Sequence, residues 1–254
     1  STNLMDEVER MGFSNIHGLA MSGKLGTTTY RISGNYRNVE GILQKSGFEQ
    51  LNTRANLSST LMDEALFIQL SASYTDRNSQ LGFNEAFRYA ISTNPTAPVR
   101  AEDAPFAFNT EKYGGFFETL GLFDSFNPKA IVDLNDRNGK LQVLSTAAFL
   151  RYDIKPALSL NFRYAYQDLF ANERAYYPPQ SYFRGNPFFV IPERSGRADL
   201  NDYADEFSLY EVFTNYKKTL GKSKLGLSLG YAYQDGNYLQ NDLRLYGFSN
   251  EEVL

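Results

Sequence analysis

The sequence contains no cysteine and no tryptophan, and its single histidine is His17. The absence of cysteine excludes disulfides, thiolate metal sites and cysteine nucleophiles. One histidine cannot form a histidine-rich zinc site, and the chain has neither a G-x-S-x-G motif nor a phosphate-binding glycine loop. No feature of the sequence places two carboxylates across a cleft, so we expect a protein that is not an enzyme.

A long apolar run is also missing: no stretch of 18 or more apolar residues occurs, which excludes a membrane-spanning helix. The net charge of −4, from 25 Lys and Arg against 29 Asp and Glu, argues against nucleic-acid binding. The mean hydropathy of −0.43 is typical of a soluble protein. A transmembrane β-barrel can have the same value, because only alternate strand residues face lipid.

What the chain does contain is strict alternation of apolar and polar residues. In residues 28–37, Tyr30, Ile32 and Tyr36 alternate with Arg31, Asn35 and Arg37, as in a strand with one apolar and one cationic face. The pattern recurs and predicts eight strands, at 15–23, 28–39, 48–58, 66–77, 141–152, 158–167, 207–217 and 224–234.

The connections between these strands alternate in length. Short turns are expected at 23–26, 59–65, 153–157 and 218–223, and longer loops at 40–47, 78–140, 168–205 and from 235 onward. The loop at 78–140 contains one predicted short helix, at 84–91. Outer-membrane barrels have short periplasmic turns and long extracellular loops, so we predict that residues 1–254 form part of one such barrel.

The tyrosines recur at matching strand positions, and the run YAYQD occurs at both 164–168 and 231–235. Tyrosine is enriched at both membrane interfaces, which predicts two lipid-interface girdles. The predicted girdle residues are Tyr36, Tyr74, Tyr152, Tyr164, Tyr166, Tyr216, Tyr231 and Tyr233. The predicted fold is therefore all-β, an antiparallel transmembrane β-barrel segment of about eight strands with long extracellular loops. The alternative is a soluble carbohydrate-binding β-sandwich.

Two sets of residues are candidates for function. The polar strand face predicts lumen- or plug-facing residues, namely Arg31, Asn35, Arg37, Arg54, Asn56 and Arg163. The second long loop predicts contacts to a substrate or lid, because aromatic faces stack on sugars; packing of the loop on itself is the alternative. These loop candidates are Tyr176, Tyr177, Tyr182, Phe183, Arg184, Phe188 and Phe189.

Acidic residues are concentrated in two stretches, at 133–138 and 199–206. Calcium takes six to eight oxygen ligands, so either stretch could contribute to a loop calcium site. Neither matches the spacing of a calcium-binding loop motif, and solvated carboxylates are the favoured interpretation. No other metal or cofactor is expected.

Several sequence runs resemble the SusC/RagA-like TonB-dependent transporters. They are NLMDEVERMGFSNIHGLAMSG at 3–23, AFRYA at 86–90, NPTAPV at 94–99 and FNPKA at 126–130. The resemblance implies an outer-membrane nutrient importer of the Bacteroidetes for glycans (oligosaccharides) or peptides. It also implies a SusD-like surface lipoprotein lid and a plug domain contacted by TonB.

The sequence contains no plug domain, no TonB-contact segment and fewer strands than the family's barrel of about 22. We therefore expect a partial barrel that carries wall and extracellular loops, with partners limited to the lipoprotein, TonB through the missing plug region, substrate and outer-membrane lipid. A passive barrel without a plug is a further alternative.

Overall fold

The computed structural model describes residues 2–103, 111–119, 126–183 and 196–248. Two α-helices, α1 (Glu85–Ser92) and α2 (Pro128–Leu134), and two 3-10 turns, Ala101–Asp103 and Glu111–Tyr113, lie between the fourth and fifth strands. The eight strands are β1 Ser14–Leu25, β2 Thr28–Glu40, β3 Ser46–Leu61, β4 Leu66–Leu81, β5 Asp136–Lys155, β6 Leu158–Tyr177, β7 Arg197–Leu220 and β8 Ser223–Tyr246. None of the helices in the described ranges is both long and apolar enough to cross a bilayer.

The strands form one antiparallel sheet in chain order, β1 to β8, which is open at both edges. This confirms the predicted fold class. The sandwich alternative is wrong, because the described residues form a single sheet and its two faces do not pack on a second one. All eight predicted strands are present, and α1 lies within one residue of the predicted helix.

The strands are longer than predicted, and the loops are correspondingly shorter. β8, for example, has 24 residues. The connections expected at 78–140 and 168–205 span 82–135 and 178–196, and the expected long loop between β2 and β3 is reduced to 41–45. The reason is that beyond the predicted strand ends apolar and polar residues no longer alternate, as at Leu169, Phe170 and Ala171 of β6, while the hydrogen-bonded ladder continues.

At the end of the sheet away from the long connections, tight turns join the strands. Gly26 and Gly221 have φ of +59° and +64°, which glycine adopts without steric cost. The turn between β3 and β4 is unusual, because Met62, Asp63 and Glu64 all have positive φ without being glycine.

Strand register divides the sheet into two faces. Tyr164 pairs with Tyr210, which pairs with Tyr233, and their ring centroids lie 5.0 and 6.4 Å apart. Following the pairs across the sheet places all eight predicted girdle tyrosines on this side, here called the tyrosine face. The same register places Arg31, Asn35, Arg37, Arg54, Asn56 and Arg163 on the opposite side, the arginine face.

A small hydrophobic core lies at the end of the sheet where the long connections leave the strands. Its members come from the N-terminal segment, the β2–β3 connection, both helices and the end of β6: Val8, Leu43, Phe83, Ala86, Tyr89, Ile131, Val132, Ala175, Tyr177 and Phe183. We call these connections, with α1 and α2, the loop layer. Ala175 and Tyr177 belong to the arginine face by register, so the loop layer packs on that side.

Candidate functional site

The tyrosines of the even-numbered strands form a straight diagonal line on the tyrosine face. Tyr36 pairs with Leu51, and Leu51 pairs with Asp76, two residues past Tyr74. Tyr74 pairs with Leu144, which pairs with Asp168, two residues past Tyr166. Tyr166 pairs with Ser208, which pairs with Asp235, two residues past Tyr233.

The slope of this tyrosine line equals a strand tilt. A step of two residues is about 6.8 Å along a strand, and two strand spacings are about 9.6 Å across the sheet. The line therefore makes an angle of about 35° with the hydrogen-bonding direction. Strands of membrane barrels tilt by about 35–45°, so a sheet tilted in this way holds all four tyrosines at one level.

A second line near the short turns runs parallel to the first. Tyr152 pairs with Leu160, whereas Tyr216 pairs with Leu158, two residues closer to the turn. The two lines are about 20 Å apart along the barrel axis, close to the ~25 Å apolar band of outer-membrane barrels. Leu70 and Leu229 lie between the lines on the tyrosine face with 44% and 79% exposure, which supports the predicted lipid contact.

The arginine face offers exposed cations. Arg163 pairs with Glu211, its Nη1 lying 2.8 Å from Oε2. Arg31, Arg37 and Arg54 make no ion pair within the part of the chain that the structure describes. An unpaired guanidinium inside a protein requires acceptors, so this face can bind carboxylates of another segment.

Above the tyrosine line, that is, between this line and the long connections, ion pairs connect the long strands β5 to β8. Arg137 donates to Glu173 over 2.7 Å, and this hydrogen bond raises the pKa of Arg137 despite partial burial. Burial alone would raise the pKa of Asp199, but hydrogen bonds from Arg197 and Arg244 lower it overall. The Nε atoms of these two arginines lie 2.8 and 3.0 Å from Asp199 Oδ1.

The predicted acidic stretches lie mainly on strands and on α2 rather than in open loops. Asp199 is on the arginine face, whereas Asp202 is on the tyrosine face, where it pairs with Arg174 at 2.6 Å. In the other stretch, Asn135 is buried and donates to the Ile131 carbonyl, and Asp136 pairs with Lys45. Within the described ranges, no group of three or more His, Asp or Glu side chains could hold a metal ion.

The aromatic loop candidates do not form one surface. Tyr177 and Phe183 are 2% and 4% exposed and pack on Phe83, with ring centroids 5.6 and 5.8 Å away. For these two residues the substrate-contact prediction is wrong and loop packing is correct, because their rings complete the loop-layer core. Tyr182 is half-buried beside Tyr113, whereas Tyr176 lies on the tyrosine face near Phe248. Arg184, Phe188 and Phe189 lie outside the described residues.

Sequence reasoning missed the residue that anchors the loop layer, Asn127. Its side chain accepts hydrogen bonds from the amides of Lys129 and Ala130 and donates to the carbonyls of Val99 and Phe117. Its own amide donates to the Glu118 carboxylate over 3.0 Å. The signal was present, because Asn followed by Pro is a typical N-cap and first-residue pair of a helix.

Comparisons with known proteins give transporter relatives, although no protein-family profile matches the chain. The chain is 22% identical over 248 residues to the TonB-dependent receptor SusC of Bacteroides thetaiotaomicron, which covers 91% of this chain and 24% of that protein. It is 34% identical over 119 residues to the TonB-dependent receptor P26 of Formosa agariphila, covering 46% of this chain and 11% of that protein.

Solved structures agree on the fold. The RagAB peptide transporter superposes on the whole chain with a TM-score of 0.72 at 15% identity, and the chain covers 28% of it. The RagAB peptide importer in its closed-closed state gives a TM-score of 0.71 at 14% identity, also over the whole chain. The chain spans about a quarter or less of these proteins. The predicted family resemblance and outer-membrane location are confirmed.

Proposed function

We propose that this chain forms part of the wall and of the extracellular funnel of an energy-coupled importer. The premise is that the chain is a β-barrel segment of a SusC/RagA-like TonB-dependent transporter of the outer membrane. In this proposal the tyrosine face contacts lipid and the arginine face lines the lumen. The cargo is an oligosaccharide or a peptide, a SusD-like lipoprotein closes the outer opening, and TonB acts through a plug.

The observation that carries the proposal is the set of unpaired arginines opposite the lipid side. Arg31, Arg37 and Arg54 are exposed and lie on β2 and β3 on one face. A water-filled passive pore would leave them solvated, whereas a plug can supply carboxylates that neutralise them. We therefore assign these three residues to plug contact and not to cargo recognition.

The position of the loop layer supports the funnel part of the proposal. The layer packs on the arginine face through Ala175 and Tyr177, so it lies over the lumen side of the long-connection edge. Tyr182 of this layer packs beside Tyr113 and is half-buried, and we assign its exposed part to contact with cargo or lid. Aromatic rings provide contact area at low entropic cost, which suits sugars and peptide side chains alike.

The test uses the full-length transporter in outer membranes, with Arg31, Arg37 and Arg54 all changed to Glu. We expect energy-dependent uptake of a labelled oligosaccharide or peptide to fall at least about tenfold, because repulsion displaces the plug. Leakage of a small solute that does not use the transporter should rise. The control is Lys222→Glu, in the turn between β7 and β8 and away from either face.

Unchanged uptake and unchanged leakage in the triple variant would contradict the assignment of these arginines. A passive barrel is distinguished by removing TonB function: uptake that continues at the same rate would contradict energy coupling. Competition between unlabelled glycans and unlabelled peptides for the labelled cargo then separates the two cargo classes.

A further inference from the structure

A polar groove lies on the tyrosine face above the tyrosine line. Asn78, Lys140 and Asn172 pair across β4, β5 and β6 in one row of the sheet, and Gln80, Asn138 and Arg174 form the next row. These six side chains line a cavity of about 520 Å³, bordered by Glu49 and Arg10. We call it the amide groove.

The groove presents unused hydrogen-bonding groups. Arg174 is engaged, donating to Asp202 and to the carbonyls of Glu173 and Asn201. The side chains of the other five make no hydrogen bond or ion pair within the described chain. Neighbouring strands are about 4.8 Å apart and rows on one face about 6.8 Å apart, so these side chains offer a grid of donors and acceptors to a ligand with many hydroxyl groups.

The height of the groove excludes hydrocarbon as its occupant. Asn78 is four residues beyond Tyr74, and Asn172 is six residues beyond Tyr166. With a tilt of about 35°, these offsets place the groove about 11–17 Å above the tyrosine level. The polar zone on each side of a bilayer is only about 5–8 Å deep, so a simple phospholipid headgroup does not reach it. A headgroup extended by sugars does.

An apolar depression lies below the groove on the same face and on overlapping strands. It has a volume of about 440 Å³ and is lined by Ile32, Ala55, Leu57, Ala72 and Ala148. Small alanine side chains beside larger ones make a shallow channel that suits an acyl chain. A single lipid can therefore contact both regions, with its chains in the depression and its headgroup above the tyrosines.

We propose that the amide groove binds the oligosaccharide headgroup of an outer-leaflet glycolipid. The amides and Lys140 hydrogen-bond to sugar hydroxyls, and Lys140 also pairs with a phosphate or carboxylate on the sugar. The transported cargo is not the ligand, because the groove opens on the face opposite the arginines. The binding site therefore acts in anchoring the wall to its membrane and goes beyond the importer function.

The experiment measures glycolipid retained by the purified full-length transporter, by native mass spectrometry after exchange into detergent containing lipopolysaccharide. A second arm uses lipid A, which has the same acyl chains without the oligosaccharide. We expect the transporter to retain lipopolysaccharide at least about tenfold more than lipid A, since several hydrogen bonds depend on the sugars.

Variants locate the site. The combined variant Asn78→Leu, Lys140→Leu, Asn172→Leu should lose about tenfold of lipopolysaccharide retention and show no change with lipid A. Asn172→Leu alone should lose a few-fold, whereas the matched control Asn241→Leu should not change. Asn241 lies in the same row on the same face, two strands away and outside the groove. Folding of each variant is checked by heat-dependent mobility.

Equal retention of lipid A and lipopolysaccharide would overturn the proposal, as would equal loss in Asn172→Leu and Asn241→Leu. No retention by the unmodified transporter would also overturn it and would indicate a protein loop as the occupant. Cargo uptake by the combined variant is measured in parallel and should be unchanged. Failure of glycolipid binding is thus distinguishable from failure of the importer proposal.

Discussion

Replacing Leu70 with arginine tests which face of the sheet contacts lipid. Leu70 is on β4, four residues from Tyr74 toward the short turns, on the tyrosine face and 44% exposed. Four residues at a tilt of about 35° correspond to about 11 Å below the tyrosine level, close to the middle of the apolar band. An arginine at that depth costs about 2–4 kcal/mol of folding free energy in a membrane barrel.

Two further variants test whether the cost of an arginine depends on the face of the sheet and on the depth in the membrane. Ser71→Arg places the same charge one residue away on the opposite face, where we expect a cost well below that at Leu70. Leu51→Arg stays on the tyrosine face, but Leu51 pairs with Tyr36 at the upper line, so its cost should be about 0–1 kcal/mol. Asn161 is unsuitable as a control, because it is 2% exposed and donates to the Phe213 carbonyl.

The measurement is the urea dependence of folding of the full-length protein into lipid vesicles, with the folded fraction read from heat-dependent mobility. The expected order of destabilisation is Leu70→Arg, then Leu51→Arg and Ser71→Arg together. Equal costs at Leu70 and Ser71 would refute the assignment of the faces. Equal costs at Leu70 and Leu51 would refute the position of the tyrosine line, even if the faces were right.

Three further predictions concern the extracellular side. Asn127→Ala should destabilise the loop layer by about 1–2 kcal/mol, because it removes the N-cap of α2. The measurement is faster proteolysis of α2, and the control is Asn94→Ala at an exposed position. Phe183→Ala should cost about 3–5 kcal/mol through a core cavity and raise hydrogen exchange in α1, whereas half-buried Tyr182→Ala should cost less. The pKa of Asp199 is lowered, so its ion pairs should stabilise β7 and β8 fully at pH values above 3.8, the ordinary pKa of the group. This stabilisation should be lost as the pH falls below that value. Hydrogen exchange should show this loss, and Asp199→Asn should abolish it.

The sequence was sufficient for the strands that cross the membrane and insufficient for what stands above them. Alternation is expected where one face contacts lipid, and the strand register places Tyr30, Ile32 and Tyr36 together on one face, as predicted. Above the tyrosine line the arginine face is partly covered by the loop layer, at Ala175 and Tyr177, and apolar residues no longer alternate with polar ones although the strand does not end. Residues 168–177 of β6 are the clearest example, because they were predicted as loop.

The loop layer could be predicted less well, because its core is built from distant segments. Val8, Leu43, Ile131 and Phe183 belong to one core cluster although they are far apart in the sequence. No local period marks such residues, and an aromatic ring in a loop has the same sequence signature whether it binds ligand or fills a core. The sequence therefore left open whether Tyr177 contacts a ligand or packs within the loop, and the structure shows that it is buried.

The tyrosine line also limits how this protein can change by insertion and deletion. One added residue in a membrane-crossing strand reverses its faces from that point on, and two added residues move its tyrosine about 6.8 Å out of line with its neighbours. Neither constraint applies beyond the line, where strands such as β7 and β8 continue without the strict alternation of the membrane crossing. Length variation among relatives of this chain should therefore accumulate at the outer ends of the strands, so that this outer surface can diversify while the membrane crossing keeps its length.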